Sequence, residues 1–153
     1  MISTYLATQI QKVVHEEPWF GSGLLQSLNK LTEEQWHQPL GHRTVAGIVG
    51  HLIAWRNFAI ARLADRTDFG IEMNTELDWP DCSEMSKATL LQQLADTQQS
   101  LLANLKLLSN KDLEDYVPAV YLYNKGELAI GVMQHDIYHL GQINLLVSLL
   151  ENE

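Results

Sequence analysis

The spacing of apolar residues is the feature that most constrains this chain, because they recur every three or four positions in four long segments. That spacing lines apolar side chains along one face of an α-helix, whereas a half-buried strand would alternate apolar and polar residues. Proline and glycine interrupt the pattern between segments, as at Pro18, Pro39 and Gly41. The sequence therefore predicts an all-α protein with long helices at residues 2–16, 44–65, 86–109 and 127–150.

Local signals mark the ends of these helices. Residues 32–35 match a capping box, and Thr44 and Ser86 are expected N-cap residues. A shorter helical piece is predicted over residues 24–31, and residues 121–123 favour a short extended segment. The second and third long helices are separated by a loop of about twenty residues, 66–85, and loops of this length often cover a functional site. These elements predict a four-helix bundle whose long helix 2–helix 3 connection allows a crossover.

Composition and charge narrow the classes of protein. The chain has 153 residues, enough for one domain spanning residues 1–153. Ten basic against nineteen acidic residues give a formal charge of −9, which argues against nucleic-acid and membrane partners. Cys82 is the single cysteine and cannot form an internal disulfide. With no signal peptide and no apolar stretch long enough to span a bilayer, a cytoplasmic location is expected.

Two histidines lie on the apolar face of the fourth predicted helix. His135 and His139 are four residues apart, so their side chains point about 40° apart on the helix. Buried imidazole nitrogens require partners. A metal ion would bind one nitrogen of each ring, while the other N–H donates to a neighbouring group. A pair of hydrogen-bonded core histidines with no metal is the alternative.

A third histidine, His51, lies on the apolar face of the second predicted helix. If the two helices are neighbours, the three imidazoles form a three-nitrogen site with an open position, which is the ligand set of a catalytic type of zinc site. Tyr138 and Gln142 flank the histidines of the fourth helix, and Trp55 shares the face of His51, so these three are candidates for contacts around the ligands. The remaining histidines are expected at the surface, near helix ends or turns: His15, His37 and His42.

Several strings in the sequence resemble the DinB/YfiT-like superfamily of metal-dependent proteins. They are His51-Leu52-Ile53-Ala54-Trp55-Arg56 and the segment from His135-Asp136-Ile137-Tyr138-His139 through Leu140-Gly141-Gln142-Ile143. The turn over residues 39–45 and the loop Asp78-Trp79-Pro80 resemble one DinB-like subgroup, so the likeness spans nearly the whole chain. The resemblance implies a four-helix bundle in which His51, His135 and His139 hold a divalent metal. We expect zinc, with nickel, iron or manganese as alternatives.

The resemblance also implies a type of chemistry, since characterised members include metal-dependent transferases that use low-molecular-weight thiols. Three neutral imidazoles leave the charge of the ion uncompensated, so either a thiol or a water could be activated in the open position. Asp136 points about 100° away from His135, and only Glu16 and Glu17 are distant candidates for a general base. Thiol activation needs no such base and is therefore favoured over hydrolysis of a small-molecule substrate.

Two other hypotheses stay open at the level of sequence. One is a non-catalytic metal-binding bundle with a structural or stress-related binding role, and the other is a bundle whose histidines bind no metal. A homodimer is also expected, both from the resemblance and from a second apolar set on the fourth helix, opposite the histidines. That set comprises Ile130, Met133, Ile137 and Leu140.

Overall fold

The computed structural model describes residues 1–39, 41–120 and 122–150, and in these ranges it contains six α-helices and no β-strand. The helices are α1 (Ile2–His15), α2 (Leu24–Asn29), α3 (Glu33–His37), α4 (Val45–Leu63), α5 (Lys87–Leu107) and α6 (Lys125–Leu150). A short 3-10 turn, Asp112–Glu114, precedes α6. The four long helices α1, α4, α5 and α6 match the four predicted ones, which confirms the all-α fold.

The long helices pack as a bundle in which α1 and α4 each contact both α5 and α6. The connection from α1 to α4 and the connection from α5 to α6 therefore cross the bundle instead of joining close neighbours. The short helices lie outside this set, with α2 against α1 and α6 and α3 against α4. The crossover that the sequence allowed for the long loop is not made there, since α4 and α5, which the loop joins, are in direct contact. The two crossing connections lie before and after this pair of helices.

Side chains close the helix ends as the sequence predicts. The Thr32 side chain accepts a hydrogen bond from the Gln35 N–H, and the Gln35 side chain accepts one from the Thr32 N–H, which completes a capping box. Thr44 caps α4 by accepting from the Gly47 N–H at 3.0 Å. Ser86 caps α5 in the same way. Each cap satisfies a backbone donor that the helix itself cannot pair.

The last helix begins two residues earlier than predicted. The Asn124 side chain accepts a hydrogen bond from the Glu127 N–H, and the Glu127 carboxylate accepts one from the Asn124 N–H, both at 2.8 Å. Gly126 therefore lies inside the first turn of α6. Of the segment predicted to be extended, Tyr121 is outside the described residues, and residues 122 and 123 form a bend.

The core has two apolar clusters separated by a polar layer. One cluster includes residues 45–53 of α4 and the end of α6 after Leu140, and the other includes the end of α4 and the beginning of α6. The two helices therefore run antiparallel. Between the clusters lie the residues that we call the polar layer: His51, Arg56, His135, Asp136 and His139. Among the described residues no helix is long and apolar enough to cross a membrane.

Candidate metal centre

Three histidine side chains meet in the polar layer. His51 Nε2 lies 2.9 Å from His135 Nε2, and His139 Nε2 lies 3.1 Å from the same atom. One ligand atom from each of the three residues falls within 4.8 Å of the others. The antiparallel packing of α4 and α6 brings together histidines that are 84 residues apart in the chain.

Hydrogen bonds on the outer side of two rings decide which nitrogen faces the centre. His51 Nδ1 lies 2.8 Å from the backbone oxygen of Asp78 and 3.0 Å from its carboxylate. His139 Nδ1 lies 2.7 Å from the side-chain oxygen of Gln142. Because these oxygens can only accept, Nδ1 of each ring carries the proton in the neutral form. The Nε2 atoms of His51 and His139 therefore present lone pairs to the centre.

The three Nε2 atoms that face one another have too few N–H protons to pair all of their lone pairs. His135 Nε2 faces both lone pairs and can donate at most one hydrogen bond, so one acceptor stays without a donor inside the cluster. Uncompensated buried acceptors are costly. A cation placed among the three nitrogens would remove that cost by accepting all three lone pairs.

The environment also keeps the three imidazoles neutral. Burial lowers the pKa of His135 to about 3, and the neighbouring charges of His139, His51 and Arg56 act in the same direction. Burial likewise lowers the pKa of His139 to about 4, partly opposed by the Gln142 hydrogen bond. Burial also lowers the pKa of His51, against the hydrogen bond to Asp78. Neutral imidazole is the form that binds metal ions.

Asp78 and Trp79, in the long loop before α5, complete the surroundings of His51. Asp78 is buried, and its carboxylate also accepts from the Trp55 indole N–H and the Asn74 backbone N–H, each at 2.8 Å. Burial opposes ionisation of Asp78, but these hydrogen bonds outweigh it and hold the pKa of the carboxyl below its usual value. The Trp79 ring stacks on His51 with centroids 3.8 Å apart and planes 8° apart. The loop therefore positions one of the three histidines.

A glycine allows the loop to pack this closely against α4. Gly50 precedes His51, and a Cβ added at Gly50 would collide with the Cys82 sulfur. Cys82 is itself buried in the apolar cluster around α4. The lone cysteine thus helps to pack the loop that carries Asp78 and Trp79, which the sequence alone did not indicate.

The candidate contacts around the ligands have different environments. Gln142 accepts a hydrogen bond from His139. Trp55 donates a hydrogen bond to Asp78, which contacts His51, and the Trp55 ring centroid lies 6.0 Å from that of His135. Tyr138 is 64% exposed, and its ring makes an edge contact with His139 at 4.9 Å. Tyr138 is therefore not a core residue. It lies on the wall of the cavity described below.

The residue after His135 places a carboxylate inside the bundle, but not on the face of the histidines. Asp136 is fully buried and forms two hydrogen bonds with Arg56, at 2.8 and 2.7 Å. Both Asp136 oxygens are used by Arg56, whose Nε has no partner among the described residues. Asp136 thus joins α4 to α6 and does not face the histidine centre.

A cavity of about 780 Å³ opens onto the histidines. All three histidines line it, together with Arg43, Tyr138 and Glu127. This volume falls within the range of pockets that bind small molecules. Glu16 and Glu17, the distant candidates for a base, are exposed and do not line this cavity.

The residues fit a divalent ion in number and chemistry. Nitrogen ligands about 2.0–2.1 Å from a tetrahedral ion are about 3.3 Å apart. The separations of 2.9 and 3.1 Å from His135 Nε2 need to widen by only a few tenths of an ångström, and the third pair of nitrogens lies within 4.8 Å. The described residues supply three ligands of this kind and no fourth.

The bundle and its histidine cluster define a class of helical proteins with a potential metal site between two antiparallel helices. A family model of the DinB superfamily matches residues 21–143, which include all three histidines. The chain therefore belongs to the DinB superfamily. Comparisons with curated proteins and with solved structures find no match.

Proposed function

We propose that the chain is a metal-dependent enzyme in which His51, His135 and His139 bind one divalent ion and a small molecule reacts in the adjoining cavity. Zinc is the ion that we expect, with nickel, iron or manganese as alternatives. Imidazole is a suitable ligand for zinc, nickel and iron. The reaction we favour is transfer of a low-molecular-weight thiol to an electrophile. Hydrolysis by an activated water is the second possibility.

One observation carries this proposal: three Nε2 atoms converge while the Nδ1 atoms of two of the rings are held by oxygen acceptors. A set of core histidines with only structural roles would pair each lone pair with a donor. Here the outer hydrogen bonds orient the lone pairs inwards, as second-shell groups do in metal sites.

A divalent ion at this site supplies Lewis acidity, which favours the deprotonated form of a thiol or a water. The chain supplies the rest of the environment. Asp78 and Gln142 hold two of the imidazoles in the ligating tautomer. The indole rings of Trp55 and Trp79 pack beside the histidines and form part of the cavity wall. Asp78 is occupied by three donors, so it positions His51 and is not a free base.

A non-catalytic metal-binding bundle with a structural or stress-related role is the alternative function. A structural metal site is usually closed by a fourth protein ligand. The cavity next to three ligands supports the enzyme instead, because it leaves access for a substrate.

Metal analysis of protein purified without a histidine tag tests the first part of the proposal. We expect about one divalent ion per chain for a three-histidine site. His51→Ala should lose the ion, whereas His42→Ala, which removes an exposed histidine outside the cluster, should keep it. Equal metal content in both variants would contradict the proposed ligand set.

A screen of small thiols with a chromogenic electrophile tests the reaction. Activity that depends on added metal, disappears in His51→Ala and persists in His42→Ala would support thiol transfer. Full metal occupancy without turnover of any thiol or ester substrate would favour the non-catalytic alternative.

We also propose that the chain forms a homodimer through α6. The apolar set on which this expectation was based is divided in the structure, since Leu140 is only 1% exposed and Ile130 is 40% exposed. Other apolar side chains on α6 are exposed, among them Leu145 and Leu149. A twofold partner presenting the same helix would cover them. A monomeric mass by light scattering at micromolar concentration would contradict this proposal.

A further inference from the structure

Arg43 lies at the edge of the cavity, immediately before the cap of α4. Its guanidinium carbon lies 3.5 Å from the centroid of the Trp79 ring. Trp79 stacks in turn on His51 at 3.8 Å. A guanidinium and an imidazole cannot both occupy one face of an indole at these distances, so Arg43 and His51 lie on opposite faces of Trp79.

This stack fixes the position of a positive charge relative to the metal centre. Since the two stacking distances lie end to end, the guanidinium is about 7 Å from the His51 ring. Arg43 and the histidines line the same cavity, so a small molecule bound at the histidines could pass the edge of the Trp79 ring and reach Arg43 with its other end.

The hydrogen-bonding groups of Arg43 are available for a ligand. The side chain is exposed, and within the described part of the chain it stacks on Trp79 and forms no side-chain hydrogen bond or ion pair. The other charged residues that line the cavity, Asp78 and Glu127, are both acidic. In a chain of net charge −9, Arg43 is therefore a local exception and not part of a basic surface.

We infer that Arg43 binds a carboxylate on the small molecule that occupies the cavity, so that the site prefers a thiol carrying a carboxylate over a neutral one. This inference rests on the proposed function of the histidine site. The planar guanidinium, which lies over the Trp79 ring, can offer two parallel N–H groups to a carboxylate. A carboxylate matches the single positive charge, whereas a phosphate dianion would exceed it beside two acidic residues.

The test compares two thiols of similar size on protein loaded with Co²⁺. 3-Mercaptopropionate carries a carboxylate where 2-mercaptoethanol carries a hydroxyl. Binding of each is followed by the sulfur-to-cobalt charge-transfer absorption, which reports occupancy independently of turnover. Relative to wild type, Arg43→Gln should lower the preference for the carboxylate thiol about five- to tenfold, since the ion pair is bidentate but exposed. Its affinity for 2-mercaptoethanol should be unchanged.

Glu127→Gln is the matched control, because it removes an opposite charge from the same cavity while glutamine preserves the capping hydrogen bond of α6. It should not lower the preference. The contact with Arg43 would be overturned if Arg43→Gln kept the preference for the carboxylate thiol. It would also be overturned if Glu127→Gln raised that preference by as much as Arg43→Gln lowered it. Either result would leave the proposed thiol function intact. If neither thiol binds to cobalt-loaded wild type, the proposed thiol function fails and this inference fails with it.

Discussion

Two polar groups lie side by side between α4 and α6. They differ in whether the hydrogen bonds and charges within each group are balanced. Arg56 and Asp136 form a pair of opposite charges joined by two hydrogen bonds. The three histidines are held neutral by burial and share at most one proton among the three facing nitrogens. The ion pair therefore needs no outside charge, whereas the histidine cluster can accept a cation.

The difference teaches that burial of a polar side chain does not by itself mark a functional site. Unsatisfied capacity for hydrogen bonds or ligands is the more informative property. The ion pair also has a role in the cluster, because it fixes α4 against α6 next to the contact between His51 and His135. Separate perturbation of the two groups tests this division of roles.

The largest effect is expected from breaking the ion pair on one side. Arg56→Met leaves the Asp136 carboxylate buried without a partner and should lower the free energy of unfolding by about 3–5 kcal/mol. The double variant Arg56→Met/Asp136→Leu should lose much less, because no charge stays buried. Urea denaturation of chelated protein measures both. The exposed pair of Arg66 and Asp68 provides the control, and Arg66→Met should change stability little.

Equal losses in the single and double Arg56 variants would show that the packing of these side chains, and not their charge balance, stabilises the bundle. The distinction drawn between the two groups would then be wrong for the ion pair.

The next effect is stabilisation by metal. Zinc at about 100 times its dissociation constant should raise the free energy of unfolding by about 2.7 kcal/mol. A chelator should therefore lower the melting temperature of wild type and leave that of His51→Ala unchanged. His42→Ala should respond as wild type does. Equal chelator shifts in wild type and His51→Ala would remove His51 from the ligand set.

Acid should destabilise the chelated protein. Unfolded histidines take up protons below about pH 6.5, whereas folded His135 and His139 resist protonation until the pH approaches about 3 and about 4. Because the unfolded state then binds more protons, stability falls as the pH falls. Between pH 6.5 and 5.5 we expect a loss of about 2 kcal/mol from these two residues. His135→Leu should halve this dependence in urea denaturation, and a stability independent of pH would contradict the burial of neutral rings.

The smallest effects are expected from the groups that orient the ligands. Gln142→Leu removes the acceptor of His139 and should weaken metal binding about tenfold or more. Asp78→Asn should have less effect, because the backbone oxygen of Asp78 still accepts from His51. Competition with a chromophoric chelator measures both affinities. A larger loss in Asp78→Asn would mean that the negative charge, and not the tautomer, is what Asp78 contributes.

The helices and the helix face on which each histidine lies could be predicted from sequence because they follow from periodicity within single helices. That the two helices are neighbours was implied only by the family resemblance. The caps at Thr32, Thr44 and Ser86 are equally local. Asp78 was not assigned a role, since it is 27 residues from His51 in a loop whose path depends on packing against Gly50. The turn around Asp78 and Trp79 was visible in the sequence, but its contact with a ligand was not.

The apolar set on α6 shows a second limit of helical periodicity. The angles of residues around a helix show which face each residue lies on. They do not show how many of those faces are covered by neighbouring helices. Because α6 contacts α1, α2 and α4, Leu140 is buried within the same chain although it was expected at an interface. The partner of Asp136 was missed for a related reason, since Arg56 is 80 residues away and on another helix.

The adjacency of His135 and Asp136 determines how α6 tolerates changes in chain length. One residue inserted earlier in α6 would turn everything after it by about 100° relative to the part before it. The carboxylate would then leave Arg56, and both imidazoles of α6 would leave His51. An insertion of four residues would restore the facing to within about 40° but shift the helix by about 6 Å. Length variation among descendants of this chain should therefore accumulate at the ends of the helices, and be purged from the middle of α6.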